Sequence, residues 1–484
     1  IPNMIFELVA GGIISSLFIP VFMERREQDG EEDAWRYASY LFNLTIIALG
    51  LIAVGATVWA EAVVRTQTFR SSPEEAMLAT FFFRVFAIQI VFYGAGAVIS
   101  GLLNAQRRFL WPALGPVFNN LVVIATMFYY VRIAPSDPVT ANWVLALGTT
   151  LGVLVMFGVQ LPALIALRPT YTWRIDLSHP GLKAMGLMAV PTLIYVATNL
   201  VAVSFRNAYA FAVAPEGPAT LSYAWMFYQL PYGVLAVALA TAVFTELSQA
   251  AGERDTVAFR QQFARGLRAT AMLILPPAAL LIALAQPLIT LYRAGRFTAD
   301  DIPMVASVLQ WWAVCLFFFA AFMFILKSFY SLKDTRTPML ANLAFVGLHI
   351  GLYALLTTGG FGFSGLGLIG IPIADTVFYG VGALVLALLL RRKIGEFDAA
   401  GIARVTMLIA VASALGGAAA WVVSGLLPAI DDSPRVALLN VTISGGLGLA
   451  VAWTAAALMR VPEVSIGLRL ASGIITRVRG KARR

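Results

Sequence analysis

The chain has 484 residues, of which 60% are hydrophobic and only 12% charged, against the roughly 45–50% apolar and 25% charged of a soluble domain. That balance excludes an ordinary water-soluble fold. The formal net charge of +9 needs no nucleic acid to explain it once the charges are placed along the chain. Cys315 is the one cysteine, which excludes an intrachain disulfide and a cysteine metal cluster. His179 and His349 have no HxxxH or HExxH spacing, and there is no GxxxxGK[ST] phosphate loop. The sequence therefore predicts a non-enzyme without a cofactor.

The apolar residues fall in blocks of about twenty, each long enough to cross ~30 Å of hydrocarbon as a helix. Blocks of that length fit helices rather than the alternating ~10-residue strands of an outer-membrane barrel. In chain order the predicted spans are 2–23, 38–63, 77–103, 111–131, 141–167, 186–213, 219–245, 267–292, 302–327, 338–357, 364–390, 402–427 and 436–459, thirteen in all. With the loop after the first span inside, the inner segments carry 26 Lys and Arg and the outer ones 6. Arg84 and Arg206 fall deep within spans, while Arg268, Lys327 and Arg404 at inner span ends are counted with the inner segments. This is the positive-inside bias, which sets the orientation and supports the count, and the positive charge serves topology and anionic headgroups. Ile1 is not an initiator Met, and the first span starts without a signal-peptide n-region. The sequence thus predicts a helix upstream of this chain.

VFMERREQDGEED, from Val21 to Asp33, returns as VFTELSQAAGERD, from Val243 to Asp255. At that offset Leu8, Gly11, Leu17, Val21, Phe22, Glu24, Gly30, Glu31 and Asp33 all have identical partners. SPEEA (72–76) pairs in the same order with TADDI (298–302), and NAQRRFLWP (104–112) with YSLKDTRTP (330–338). Charge at a span end explains acidic character, but not one register of identities, so the chain reads as a duplication. Six spans separate the copies, an even number, which makes the repeat parallel about the membrane normal. The predicted organisation is an N-terminal lobe over 1–213, a second lobe over 214–395, two additional helices over 396–459 and a basic cytoplasmic tail over 460–484.

Local motifs read first as structure. SPEE and TADD place Ser72 or Thr298 before acids, as at a helix start. Pro112 and Pro338 fall in a first turn. Arg107, Arg108, Lys333 and Arg336 read as inner-face anchors or as contacts to an anionic headgroup. GTTLG (148–152) is a GxxxG packing face. Charges deep in a span are sharper signals, because each costs about 2.5–3.5 kcal/mol at the bilayer centre on insertion scales. Glu7, Arg84, Arg206 and Asp375 are those charges, with His349 beside them. They serve either as interior ion pairs holding helices together or as the lining of a polar cavity where arginines attract a phosphate or carboxylate. Asn119, Asn120, Asn199, Asn207 and Gln229 read as interhelical hydrogen-bond glue or as ligands.

The stretches IPNMIFELVAGGIISSLFIPVF, FFFRVFAIQIVFYGAGAVISGLLNAQRRFLWPALGPVFNNLVVIA, VLALGTTLGVLVMFGVQLP and LSYAWMFYQLPYGVLAVALATAVFTELS resemble the MurJ/MviN family. These are bacterial lipid II flippases of the multidrug/oligosaccharidyl-lipid/polysaccharide exporter superfamily. Pro2 and Asn3, the LNAxxRF pattern from Leu103 to Phe109 and the QLP motifs carry the likeness, which weakens through KDTRTP but covers nearly the whole chain. The resemblance implies fourteen helices in two lobes, of which this chain holds all but the first. It also implies alternating-access transport of an undecaprenyl-pyrophosphate-linked saccharide from the inner to the outer leaflet of the bacterial cytoplasmic membrane. The implied drive is an ion gradient or the membrane potential, the implied partners are the lipid-linked precursor and other cell-wall synthesis proteins, and the last two spans form a groove for the lipid tail. The family's charges are absent where this chain has Phe6, Glu7, Gly11, Trp225 and Met226. The substrate-binding candidates are therefore Asn3, Glu7, Arg84, Asn119, Asn120, Arg206 and Gln229, with Asp375 and His349 as a coupling site or ion pair. Competing readings are a cation-coupled drug exporter, a flippase of another polyprenyl-linked saccharide and a non-transporting cell-wall scaffold.

Overall fold

The computed structural model describes residues 18–68, 73–106, 108–293, 297–332, 334–360, 362, 364–427, 433–461 and 464. In chain order its helices are α1 (Ile19–Gln28), α2 (Glu31–Val58), α3 (Ala60–Thr68), α4 (Pro73–Phe86), α5 (Gln89–Ala105), α6 (Leu110–Ile133), α7 (Pro138–Gly158), α8 (Leu161–Ile165) and α9 (Pro180–Val213). They continue with α10 (Gly217–Pro231), α11 (Val237–Gly252), α12 (Thr256–Ala283), α13 (Ala285–Thr290), α14 (Ile302–Ser331), α15 (Arg336–Thr358), α16 (Gly370–Ile394), α17 (Ala399–Leu426) and α18 (Pro434–Leu458). Among the described residues nine helices are long and apolar enough to cross a membrane, or ten with one bent pair. The protein is an all-α, multi-pass membrane protein. The predicted sixth span coincides with α9, and the seventh with α10 and α11. The first span, with Asn3 and Glu7, lies almost wholly outside the described residues, as do Ser72, Arg107, Lys333 and the tail beyond 464.

Several apolar blocks that read as single spans are interrupted helices. The third block bends by 41° between Ala76–Phe86 and Gln89–Ala105. After Pro231 the chain makes one π-helical turn, Tyr232–Ala236, before α11. A proline has no N–H to give and its ring crowds the preceding turn, so widening the helix by one residue relieves the clash. Ahead of Pro162 the backbone N–H of Gln160 turns to Phe157 O at 3.0 Å. The Gln160 side-chain amide then donates to Met156 O at 3.2 Å, while its oxygen accepts from Ser100 Oγ at 2.8 Å. The Gln160 side chain thus supplies polar partners at the break, where water is absent.

Punctuation predicted from the sequence is visible as caps. Thr298 and Asp301 form a reciprocal capping box ahead of α14. Pro112 and Pro338 occupy the first turns of α6 and α15. The duplicated acidic segment is a helix–turn–helix corner in both copies, but with different turns. In the first, Gly30 takes φ 90° and α2 begins at Glu31. In the second, Arg254 takes φ 57°, and Asp255 caps α12 by accepting from the N–H groups of Val257 at 3.0 Å and Ala258 at 2.9 Å.

Two compact units are present, residues 1–204 and 205–484, with the division inside α9. In the first unit Phe18, Phe22, Trp35 and Tyr37 pack with Leu182 and Met185 at the start of α9. The GTTLG face of α7 lies against α6: a Cβ on Gly148 would fall 2.2 Å from Thr126 Cγ2. The buried Asn43 donates to the carbonyls of Thr172 at 3.0 Å and Arg174 at 2.9 Å, and its oxygen accepts from the Tyr171 hydroxyl, tying the loop before α9 to α2. In the second unit α14 is the most enclosed helix, its Trp312, Leu316, Phe324 and Phe329 shielded by α10, α12 and α16. The added helices α17 and α18 approach at Gly416 and Gly448, where a Cβ on Gly416 would lie 2.4 Å from Gly448 O. Small residues permit this contact, and close contact drives helix association in lipid.

Candidate functional site

Within the second unit, three helices bring polar side chains onto one buried carboxylate. Asp375 sits in the second turn of α16 and is 4% exposed. Its Oδ2 accepts from the indole N–H of Trp312 on α14 at 2.8 Å. Its Oδ1 accepts from the Tyr353 hydroxyl on α15 at 2.5 Å and lies 2.9 Å from His349 Nε2, one turn earlier on the same helix. The imidazole is stacked on Phe378, with centroids 3.9 Å apart and planes 6° from parallel, a contact that favours its orientation toward the acid. Tyr228 of α10 donates to the Cys315 thiol of α14 at 3.9 Å, and that thiol also faces Asp375.

A charge at this depth is retained only with partners, and Asp375 has donors on both oxygens. The next charge is Arg206 on α9. Its guanidinium carbon stands 5.8 Å from the centroid of the Trp225 ring, and its field reaches Asp375 and Tyr353. Among the described residues Arg206 makes no salt bridge, and its Nε is buried without a hydrogen bond. It is a half-buried cation with donors to spare, which suits the oxygens of a phosphate or carboxylate.

A second feature of this unit is an apolar groove of about 1140 Å³ between α12, α14, α16 and α17. Ala279, Phe317, Phe318, Ala387, Met407 and Trp421 give its character, and its polar lining is Gln310, Thr406 and Ser413. The hydroxyls of Thr406 and Ser413 are buried without partners, seven residues apart on one face of α17. Of the last two predicted spans, α17 lines this groove, and α18 packs against α17 at the Gly416–Gly448 contact.

The sequence candidates do not all converge. His349 and Asp375 meet, with Arg206 nearby. Gln229 is exposed on α10, three residues before the π turn. In the first unit Arg84 is exposed on α4, and Asn120 is exposed on α6. Asn119 packs at Gly152 of α7, and its Oδ1 has no hydrogen-bond partner. Asn199 donates to Tyr195 O in its own helix at 3.1 Å. Trp312, Tyr353 and Tyr228 were not singled out, because aromatics inside apolar blocks at helical spacing read as core. The one signal available was the i, i+4 spacing of His349 and Tyr353. Among the described residues no group of His, Cys, Asp and Glu suits a metal ion.

At the ends of the helices the electrostatics are of another kind. Asp334, between α14 and α15, accepts from Lys393 Nζ at 2.5 Å, Thr337 Oγ1 at 2.6 Å and Thr337 N at 3.0 Å. Burial pushes its carboxyl up, but the bonds from Lys393 and Thr337 outweigh this and hold it below the usual carboxylate range.

Comparison with known proteins gives the arrangement its context. A family model described as "Lipid II flippase MurJ" matches residues 1–430. The chain is 28% identical over 467 residues to a probable lipid II flippase MurJ of Rhizobium tropici, covering 93% of this chain and 83% of that protein. It is also 28% identical over 383 residues to the lipid II flippase MurJ of Burkholderia cenocepacia, covering 74% of this chain and 73% of that one. A solved lipid II flippase MurJ in an inward closed conformation has the same fold, with a TM-score of 0.71 at 21% identity over 95% of this chain and 90% of that one. An inward-facing multidrug resistance transporter of the MATE family follows, with a TM-score of 0.65 at 20% identity over 81% of this chain and 88% of its own.

Proposed function

Because the chain belongs to the lipid II flippase MurJ family, we propose that it moves lipid II, the undecaprenyl-pyrophosphate-linked peptidoglycan precursor, from the inner to the outer leaflet of the bacterial cytoplasmic membrane by alternating access. The observation that carries this reading is the family match over residues 1–430. The physical problem fits the parts. A pyrophosphate and sugars lose their hydration in hydrocarbon at a prohibitive cost, whereas a polyprenyl tail stays in lipid. The transporter therefore needs a cation near a polar chamber and an apolar channel beside it. Arg206 supplies the first, and the groove along α17 receives the tail. No covalent step is required, so the protein works as a carrier driven by an ion gradient or the membrane potential and not as an enzyme.

The test is depletion of the protein in its own host while lipid II is followed on each leaflet. Accumulation on the inner leaflet is the expected result. Unchanged lipid II with altered dye efflux would instead identify a drug exporter, and rescue by a transport-blocked variant would identify a scaffold.

A further inference from the structure

We propose that His349 and Asp375 form a proton-binding site, loaded and emptied once per transport cycle. The proposal rests on the transport reading above and adds the species that drives it. Every contact to the carboxylate is an N–H or O–H donor: the Trp312 indole, the Tyr353 hydroxyl and the His349 ring. A metal cation at this place would need oxygen lone pairs facing it, and an indole N–H has none to offer. A proton shared along the 2.9 Å between His349 Nε2 and Asp375 Oδ1 needs no rearrangement.

The pair is set back from one end of the bundle. Asp375 is five residues into α16 and His349 nine residues from the end of α15, or about 8 to 14 Å at ~1.5 Å per residue. The groups facing it from the packed helices are Arg206 on α9, Tyr228 on α10, Cys315 on α14, Tyr353 on α15 and Tyr379 on α16. Arg206 is the one permanent cation in that set. With the proton bound, the imidazolium meets the negative charge of Asp375 directly, and Arg206 is released to face an anionic ligand. With the proton gone, the carboxylate draws on Arg206 instead. Proton and arginine compete for one acid, which couples protonation to the cation available for the pyrophosphate.

The reporter is built in. Cys315 is the chain's one cysteine, fully buried in this cluster, so its alkylation by a membrane-permeant maleimide reads the opening of the site. The 484-residue chain in lipid nanodiscs is labelled across the pH range, with each rate divided by that of denatured protein to remove the ionisation of the thiol itself. The expected profile is a step of at least about threefold across the pH series, absent in His349→Gln and Asp375→Asn. In Tyr353→Phe, which removes one donor at nearly constant shape, the step is displaced along the pH axis. Identical profiles in wild type and His349→Gln would overturn the proposal, as would an unmoved step in Tyr353→Phe or a response to sodium at constant pH in place of the step. No lipid substrate is present, so a chain that shows the step but moves no lipid II overturns the flippase reading alone.

Discussion

Gly446 and Gly448 are two residues apart on α18, and replacing each with alanine has opposite consequences. A Cβ on Gly448 would stand 2.6 Å from Gly416 O, 2.7 Å from Ala420 Cβ and 2.8 Å from Leu280 Cδ2. Carbon atoms prefer ~3.5–4.0 Å, so each contact falls short by most of an ångström. Leu280 can turn aside, but Gly416 O is backbone, and α18 must shift as a body. Overpacking of this kind costs about 1–3 kcal/mol, and the backbone contact places Gly448→Ala at the upper end. A Cβ on Gly446 meets nothing within 4 Å, so Gly446→Ala collects only the helix-propensity gain of about 0.8–1.0 kcal/mol. The propensity gain is common to both, so the two variants differ by the overpacking cost of up to about 3 kcal/mol and fall on opposite sides of wild type. Thermal unfolding of the purified proteins in one detergent, followed by tryptophan emission, ranks them Gly446→Ala above wild type above Gly448→Ala. Equal midpoints for the two variants would refute the claim that α17 and α18 meet backbone to backbone at this glycine.

Three further outcomes follow from the site and its surroundings. Ser413→Ala removes a buried hydroxyl that has no partner and raises stability by about 1 kcal/mol; a lower unfolding midpoint would show that the hydroxyl is satisfied. Arg206→Ala lowers lipid transport at least tenfold with normal membrane insertion, and Arg206→Lys does not restore it, because an ammonium lacks the planar face set over Trp225; full activity in either variant removes Arg206 from the site. The carboxyl of Asp334 is held below its ordinary value by Lys393 and Thr337 against the opposing effect of burial. Its stabilising contribution is thus complete above the unfolded carboxylate value of about 3.9 and is lost as pH falls through the lower folded value. Asp334→Asn should flatten the acid limb of the stability profile, and an unchanged limb would contradict the assignment.

The spans were legible because hydrophobic length and charge bias are properties of the sequence, and each predicted span from the second onward is met by helix. What interrupts them was less visible. Pro231 announces its π turn, but the 41° bend before Gln89 has no proline or glycine at the break to signal it. The buried site was half legible. Asp375 and His349 stood out because ionisable groups in apolar blocks are costly, whereas Trp312 and Tyr353 are chemically ordinary core residues until three helices converge on one acid. That convergence depends on residues 63 positions apart, as for Trp312 and Asp375, a separation that no local pattern encodes. Thr406 and Ser413 escaped notice for the same reason, since a lone hydroxyl in a membrane helix usually bonds its own backbone.

The central claim is tested most directly by reconstituting the purified chain in liposomes that carry lipid II and measuring the fraction of the lipid reached by a membrane-impermeant probe over time. The account predicts that lipid II crosses faster than in protein-free liposomes and that an imposed ion gradient or membrane potential biases its final distribution. A rate equal to that of empty liposomes, under every gradient, would contradict it.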